Sequence, residues 1–339
     1  MEKKVRLSNL ELLRLIAMFG VLAVHADFGA LGTPDKAELT HNTFYCITRT
    51  AIEMLAIVAV NVFVLISGWF GINFRWKGLS NLLFQCAFFF FGIYFACVLA
   101  GIKDFGLNGL YMCLMLSTNA WFVKAYLGMY ILAPVMNAFA ANADRKTFAR
   151  LLLCFFAFQS IYGWFSNGAQ YIDKGYSAFS FMGLYLLARY VRIYRPSWSR
   201  WSAFRSFAAY AATALSGAVL FLAFLLADLP GMSYIMISYS SPFIIASALF
   251  LLMTFDRFKI QSRTINAVAA SRFAVYLFHL ILFSTFMHPW IQQIAATHSG
   301  IAEFVMITAL LLAFFTAAIL IDRVRLFLWN RFLVPLFDR

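Results

Sequence analysis

Residues 8–28, SNLELLRLIAMFGVLAVHADF, decide the fold class. At about 1.5 Å per residue this stretch is long enough as a helix to cross a hydrocarbon core of about 30 Å. Lys3, Lys4 and Arg6 precede it, as basic residues precede a secretory leader. Glu11 and Arg14, however, interrupt the apolar run, and no small-residue cleavage site follows. The stretch therefore predicts a retained first membrane helix. The rest of the chain repeats the pattern: of 339 residues, 63% are hydrophobic, 19% aromatic and only 12% charged. A soluble domain carries about 25% charged residues, so this composition leaves too little polar surface to cover a globule. Apolar runs of about 18–23 residues place further spans near 51–73, 80–101, 120–141, 150–167, 177–194, 205–227, 235–255, 268–290 and 302–321. The apolar but short stretch 105–118 reads as a re-entrant or interfacial segment. Barrel strands alternate apolar and polar residues, whereas these runs are apolar all round. The expectation is an all-α polytopic membrane bundle of about ten helices, forming a single domain over 1–339.

The charges orient that bundle. Lys and Arg number 27 against 14 Asp and Glu, for a net charge of +13. With a cytoplasmic N-terminus, most basic residues fall on inner segments, among them Arg75 and Lys77, Arg145 and Lys146, Arg257 and Lys259, and Arg323 and Arg325. The outer segments hold only Lys36, Arg49, Lys103 and Lys174. This asymmetry follows the positive-inside rule and predicts that both termini are cytoplasmic. It also explains the basic balance without a nucleic-acid partner. The five cysteines show neither CxxC spacing nor histidine pairing, so no metal site or disulfide framework is expected.

Ionisable residues inside a membrane helix are functional candidates because burying them is costly. Eleven residues separate Arg14 from His25, about 1100° of helical rotation, which leaves them about 20° apart on one face and about 16.5 Å apart in depth. Glu11 sits one turn below Arg14 and about 60° from it. One polar stripe thus runs from the cytoplasmic end toward the outer half of the bilayer. A histidine with a pKa near neutrality is the natural general base for a hydroxyl, which makes His25 the first candidate. The second span carries Glu53, Asn61 and Ser67, then the basic turn Arg75-Trp76-Lys77. Ser67 also fits a helix-packing role. The fourth span begins with Trp121 and Lys124; Trp121 also fits an outer aromatic belt. Arg272, Tyr276 and His279, at i, i+4 and i+7, share a face of the ninth span.

These residues resemble the signature of the acyltransferase-3 integral membrane acyltransferases. Glu11-Leu-Leu-Arg14 with His25 matches its opening motif, and VNVFVLISGWF (60–70), WFVKAYLGMYILAPVMN (121–137), YLLARYVRIY (185–194), YSSPF (239–243) and RFAVYLFH (272–279) follow in the family's order. The nearest likeness is to the branch acting on surface polysaccharides. The resemblance implies a membrane O-acyltransferase of the bacterial cytoplasmic membrane. It would move acetyl or another short acyl group from acetyl-CoA to a sugar hydroxyl of a cell-surface or lipid-linked polysaccharide. No cofactor is implied beyond the acyl-CoA substrate, and the partners are that donor, the glycan acceptor and the bilayer. His25, Arg14 and Glu11 would form the catalytic group. Arg75, Lys77, Ser67, Trp121, Lys124, Arg272, Tyr276 and His279 would bind the donor or line its passage. A secondary transporter or lipid-linked sugar flippase is the rival class, since it too buries charges at mid-membrane. The chain shows neither an internal repeat nor a Gly/Pro-broken helix pair.

Overall fold

A computed structural model describes residues 7–116, 120–165 and 172–337. All the described elements are helical, and there is no strand among them. The first helix, α1 (Ser8–Val24), continues into a wider π-turn at His25–Leu31. The second expected span is two helices, α2 (Thr43–Ala56) and α3 (Ala59–Phe70), broken at Ile57 and Val58. Next come α4 (Trp76–Leu99), α5 (Trp121–Asn142), α6 (Arg145–Phe165), α7 (Ala178–Tyr194), α8 (Ala203–Leu226) and α9 (Pro242–Asp256). The carboxyl-terminal part holds α10 (Arg272–Leu282), followed by a π-turn at Phe283–Met287 and a helix at His288–Thr297, and then α11 (Gly300–Leu328).

Every expected span falls on helix, but the lengths differ from the expectation. Eight helical stretches among the described residues are long and apolar enough to cross a membrane. α7, at 17 residues, and α9, at 15, fall short: at 1.5 Å per residue they reach about 26 and 23 Å. Arg145, Lys146 and Arg150, expected between spans, lie within α6. The segment expected at 105–118 forms a seven-residue helix, Leu107–Cys113, too short to span. Residues 117 and 118 of that segment, 166 and 167 of the fifth span, Asn119, and the terminal charges Lys3, Lys4, Arg6 and Arg339 lie outside the described residues.

Packing places α1 at the centre, against α2, α3, α9, α10 and α11. Gly20 of α1 meets the end of α2, where an added Cβ would lie 3.2 Å from the Ala56 carbonyl oxygen. α3 and α7 approach more closely still: a Cβ on Gly68 would stand 2.3 Å from the Tyr185 carbonyl oxygen. Small residues allow such contact in bundles where lipid offers no hydrophobic drive to association. Tyr185 then ties down the turn after α3. Its hydroxyl accepts from the Ile72 amide at 2.8 Å and donates to Asn137 Oδ1 at 2.7 Å, and Asn137 Nδ2 donates to the Ile72 carbonyl at 2.8 Å. Tyr130 reaches the backbone of Arg75 at 3.3 Å. The basic turn is thereby fixed to α5 and α7.

Candidate functional site

One face of α1 opens on a cavity of about 640 Å³, touched by Arg14, Met18, Val21, His25, Phe28 and Gly29. Volumes of this size suit small-molecule sites. The i, i+4, i+7, i+11 succession is the stripe that helical spacing predicts, now with a space in front of it. α5 supplies an aromatic wall of Trp121, Phe122, Tyr126 and Tyr130, while α4 contributes Gly78, Asn81 and Gln85. Arg272, Phe273 and Tyr276 of α10 and Arg325 of α11 complete the far side.

At one end, Glu11 joins two cations. Arg14 Nη1 donates to Glu11 Oε1 at 2.5 Å, and Arg272 Nη1 lies 3.4 Å from Glu11 Oε2. Arg14 also lies over the Phe70 ring, 5.6 Å from its centroid. Glu11 is buried and does not touch the cavity; two guanidiniums on the wall share one carboxylate behind it, which leaves this end electropositive. Arg325, only 1% exposed, makes a two-pronged pair with Asp322 at 2.8 and 2.9 Å and donates to Asn81 Oδ1 at 2.9 Å. Gln85 Nε2 donates to Asp322 Oδ1 at 3.0 Å. Arg325, expected only as one of the basic residues after the last span, is thus buried, and the carboxylate one turn earlier on α11 pairs with it. The one advance signal was the Asp-x-x-Arg spacing at 322–325.

At the other end, His25 opens the π-turn, a local distortion found frequently at functional sites. Its Nδ1 lies 2.8 Å from the Val21 carbonyl. A carbonyl only accepts, so in the neutral ring Nδ1 carries the hydrogen and Nε2 the lone pair. Behind His25 stands His279, fully buried, the two rings edge-to-face with centroids 4.9 Å apart. His279 was expected on the passage; it is instead packed behind the histidine that touches the cavity. Its own Nδ1 is turned to the Val275 carbonyl at 3.1 Å. The π-turn is held from outside by Arg49, which binds Asp27 Oδ1 at 2.5 Å and the Gly32 carbonyl at 2.5 Å.

Of the expected residues, the cavity gathers Arg14, His25, Ser67, Trp121, Arg272 and Tyr276. Arg75, Lys77 and Lys124 do not touch it. Arg75 is exposed on the turn that leads into Gly78, a lining residue, and Lys124 lies on the exposed side of α5. Asn81, Gln85, Tyr176 and Tyr239 line it without having been expected to, as does Glu53, which the sequence marks as an intramembrane carboxylate without a role. No group of three or more His, Cys, Asp or Glu side chains suited to a metal occurs among the described residues.

A family model described as an acyltransferase domain, Acyl_transf_3, matches residues 7–323. The chain belongs to the acyltransferase-3 family. No curated protein and no solved structure matches it. The match covers the cavity-lining residues from Arg14 on α1 to Tyr276 and Leu280 on α10, and it ends at Arg323 within α11, two residues short of Arg325. The protein is thus a multi-pass membrane acyltransferase with a cavity lined by both Arg14 and His25.

Proposed function

We propose that this acyltransferase moves an acetyl or other short acyl group from acyl-CoA to a hydroxyl of a cell-surface or lipid-linked polysaccharide sugar, in the bacterial cytoplasmic membrane. The observation that carries this reading is the single cavity touched by Arg14 at one depth and His25 at another, about 16.5 Å apart by helical rise. A long, thin donor arm fits such a space better than a compact solute does. The nucleotide would remain at the basic turn of Arg75 and Lys77, because phosphates favour clustered cations. The thioester would pass Arg14 and Arg272 to reach His25.

The chemistry is a direct displacement. His25 Nε2 takes the proton of the sugar hydroxyl as its oxygen attacks the thioester carbonyl. The new C–O bond forms, the C–S bond breaks, and the proton passes from His25 to the departing sulfur. Val21 holds the ring in the tautomer this requires. Met18, Val21, Val60, Phe63 and Phe122 around the path keep water from the thioester. The test is release of free CoA by purified protein given acetyl-CoA and a surface glycan. Wild type should release CoA in step with acylation of the glycan, and His25→Ala should lose at least about 100-fold, the scale of a general base, while remaining monodisperse. Substrate-driven uptake into vesicles with no CoA release would overturn the reading in favour of a transporter.

A further inference from the structure

One wall of the cavity has a composition that donor chemistry does not explain. Trp121, Tyr176 and Tyr239 come from α5, from the segment before α7 and from the segment before α9, and all three line the space. Their rings pack on one another, with centroids 4.4 Å apart for Trp121–Tyr176, 4.8 Å for Tyr176–Tyr239 and 5.7 Å for Trp121–Tyr239. The grouping is built rather than incidental. The Ser240 amide and the Ser238 hydroxyl both donate to the Lys174 carbonyl, at 3.2 and 2.9 Å. Gly175, at φ +97°, then lets the chain press against Tyr239, where a Cβ would come within 2.6 Å of the tyrosine's own. Tyr176 is 39% exposed, so the platform reaches the outside of the protein.

Two residues lining the same space each carry a buried polar atom without a partner. Glu53 is 2% exposed and Tyr276 6%, yet Glu53 Oε2 and the Tyr276 hydroxyl have no hydrogen-bond partner. Such atoms are rare because leaving them unpaired is costly. The depth of Glu53 follows from the antiparallel pairing of α1 with α2. Gly20 meets Ala56, and Asp27 meets Arg49, so Glu53 lies within about one helical turn of the His25 level.

We infer that the aromatic platform of Trp121, Tyr176 and Tyr239, with Glu53 and Tyr276, is a subsite for a pyranose ring. This rests on the acyl-transfer reading above and assigns the acceptor's place in it. A pyranose has an apolar face of axial C–H groups suited to an aromatic ring, and a rim of hydroxyls suited to a carboxyl and a phenol. A carboxyl beside aromatic rings also suits a quaternary ammonium. Here, however, the rings touch one another and leave no space between them for a cation. Bound this way, the sugar meets Glu53 at the level of His25, where one of its hydroxyls can be deprotonated.

The probe is a panel of methyl pyranosides with gluco, galacto, manno, rhamno and N-acetylglucosamino configurations. Each is added to the purified full chain in detergent and read by saturation-transfer NMR without acyl donor. At least one should receive saturation, strongest at its ring C–H protons. The signal should disappear in Trp121→Ala, persist in Trp121→Phe, and need about tenfold more ligand in Glu53→Gln, the scale of one hydrogen bond. Far-UV circular dichroism and gel filtration of each variant identify any folding failure, and Glu53→Gln, which keeps the side chain's shape, carries the test should Trp121→Ala fail to fold. Saturation of no pyranoside beyond empty micelles, or signals unchanged in both Trp121→Ala and Glu53→Gln, would overturn the subsite even if CoA is released to some other hydroxyl. Pyranoside binding with the expected losses, but with no CoA release from acetyl-CoA, would keep the subsite and defeat the acyl-transfer reading instead.

Discussion

Arg14 holds two positions at once: a bond to Glu11 at 2.5 Å and a place over the Phe70 ring. A guanidinium can do both because it is planar and carries a fork of donors, whereas an ammonium is a compact point charge. Arg14→Lys should therefore lower kcat/KM by about 10–100-fold, the scale of one charge-assisted hydrogen bond, with expression and gel-filtration behaviour unchanged. Near-normal turnover in that variant would remove Arg14 from the chemistry. At this scale the sequence is legible where the relation is helical. Glu11, Arg14 and His25 lie on one helix, so spacing alone places them together. Glu53, Asn81, Gln85 and Tyr239 reach the cavity from three other segments, and no spacing within a chain reports that. His279 shows the limit of a face argument: α10 turns Arg272 and Tyr276 to the cavity, while His279 packs edge-on against His25 and does not touch it.

At the scale of elements, apolar run length located the helices and could not locate their breaks. The break at Ile57 and Val58 lies inside a continuous apolar run, between Glu53 on α2 and Ser67 on α3. Two predictions belong here. Gly68→Ala places a methyl against the Tyr185 backbone, which cannot yield as a side chain would. It should cost about 1–3 kcal/mol, the range of overpacking, seen as a lower unfolding midpoint in detergent. Gly92→Ala, with nothing within 4 Å of the new methyl, should leave that midpoint unmoved; equal shifts would mean that α3 and α7 tolerate separation. The turn after α3 is held by Tyr130, Tyr185 and Asn137, which fixes the direction its cations face. If Arg75 and Lys77 hold the nucleotide equally in ground and transition states, the Arg75→Gln, Lys77→Gln double variant should raise KM for acetyl-CoA about tenfold with kcat little changed. The effect should shrink at high salt, where an exposed ion pair is screened. An unchanged donor KM would move the nucleotide away from this turn.

For the whole molecule, the distribution of charge and the geometry of one helix combine into a statement about sides. Basic residues concentrate at the segments expected on the Arg14 side of the bundle, including Arg75, Lys77, Arg257, Lys259 and Arg323, and the positive-inside rule predicts that side to be cytoplasmic. Arg14, His25 and Tyr176 line one cavity, and Tyr176 is partly exposed on the protein's surface. His25 lies about 16.5 Å outward of Arg14 by helical rise, roughly half of the 30 Å apolar core. Acyl-CoA, polyanionic and made in the cytoplasm, would therefore enter from within, while the hydroxyl acceptor would arrive from the opposite face. Sealed vesicles of both orientations test this, with labelled acetyl-CoA and a membrane-impermeant glycan supplied separately to the lumen and the outside. Labelled glycan should form only when the donor is on the cytoplasmic side and the glycan on the other. Trp121→Ala should raise the KM for the glycan and leave the donor KM little changed, as an acceptor subsite requires. Efficient transfer with both substrates confined to the cytoplasmic side would exclude a reaction across the membrane and require the acceptor to share the donor's entrance.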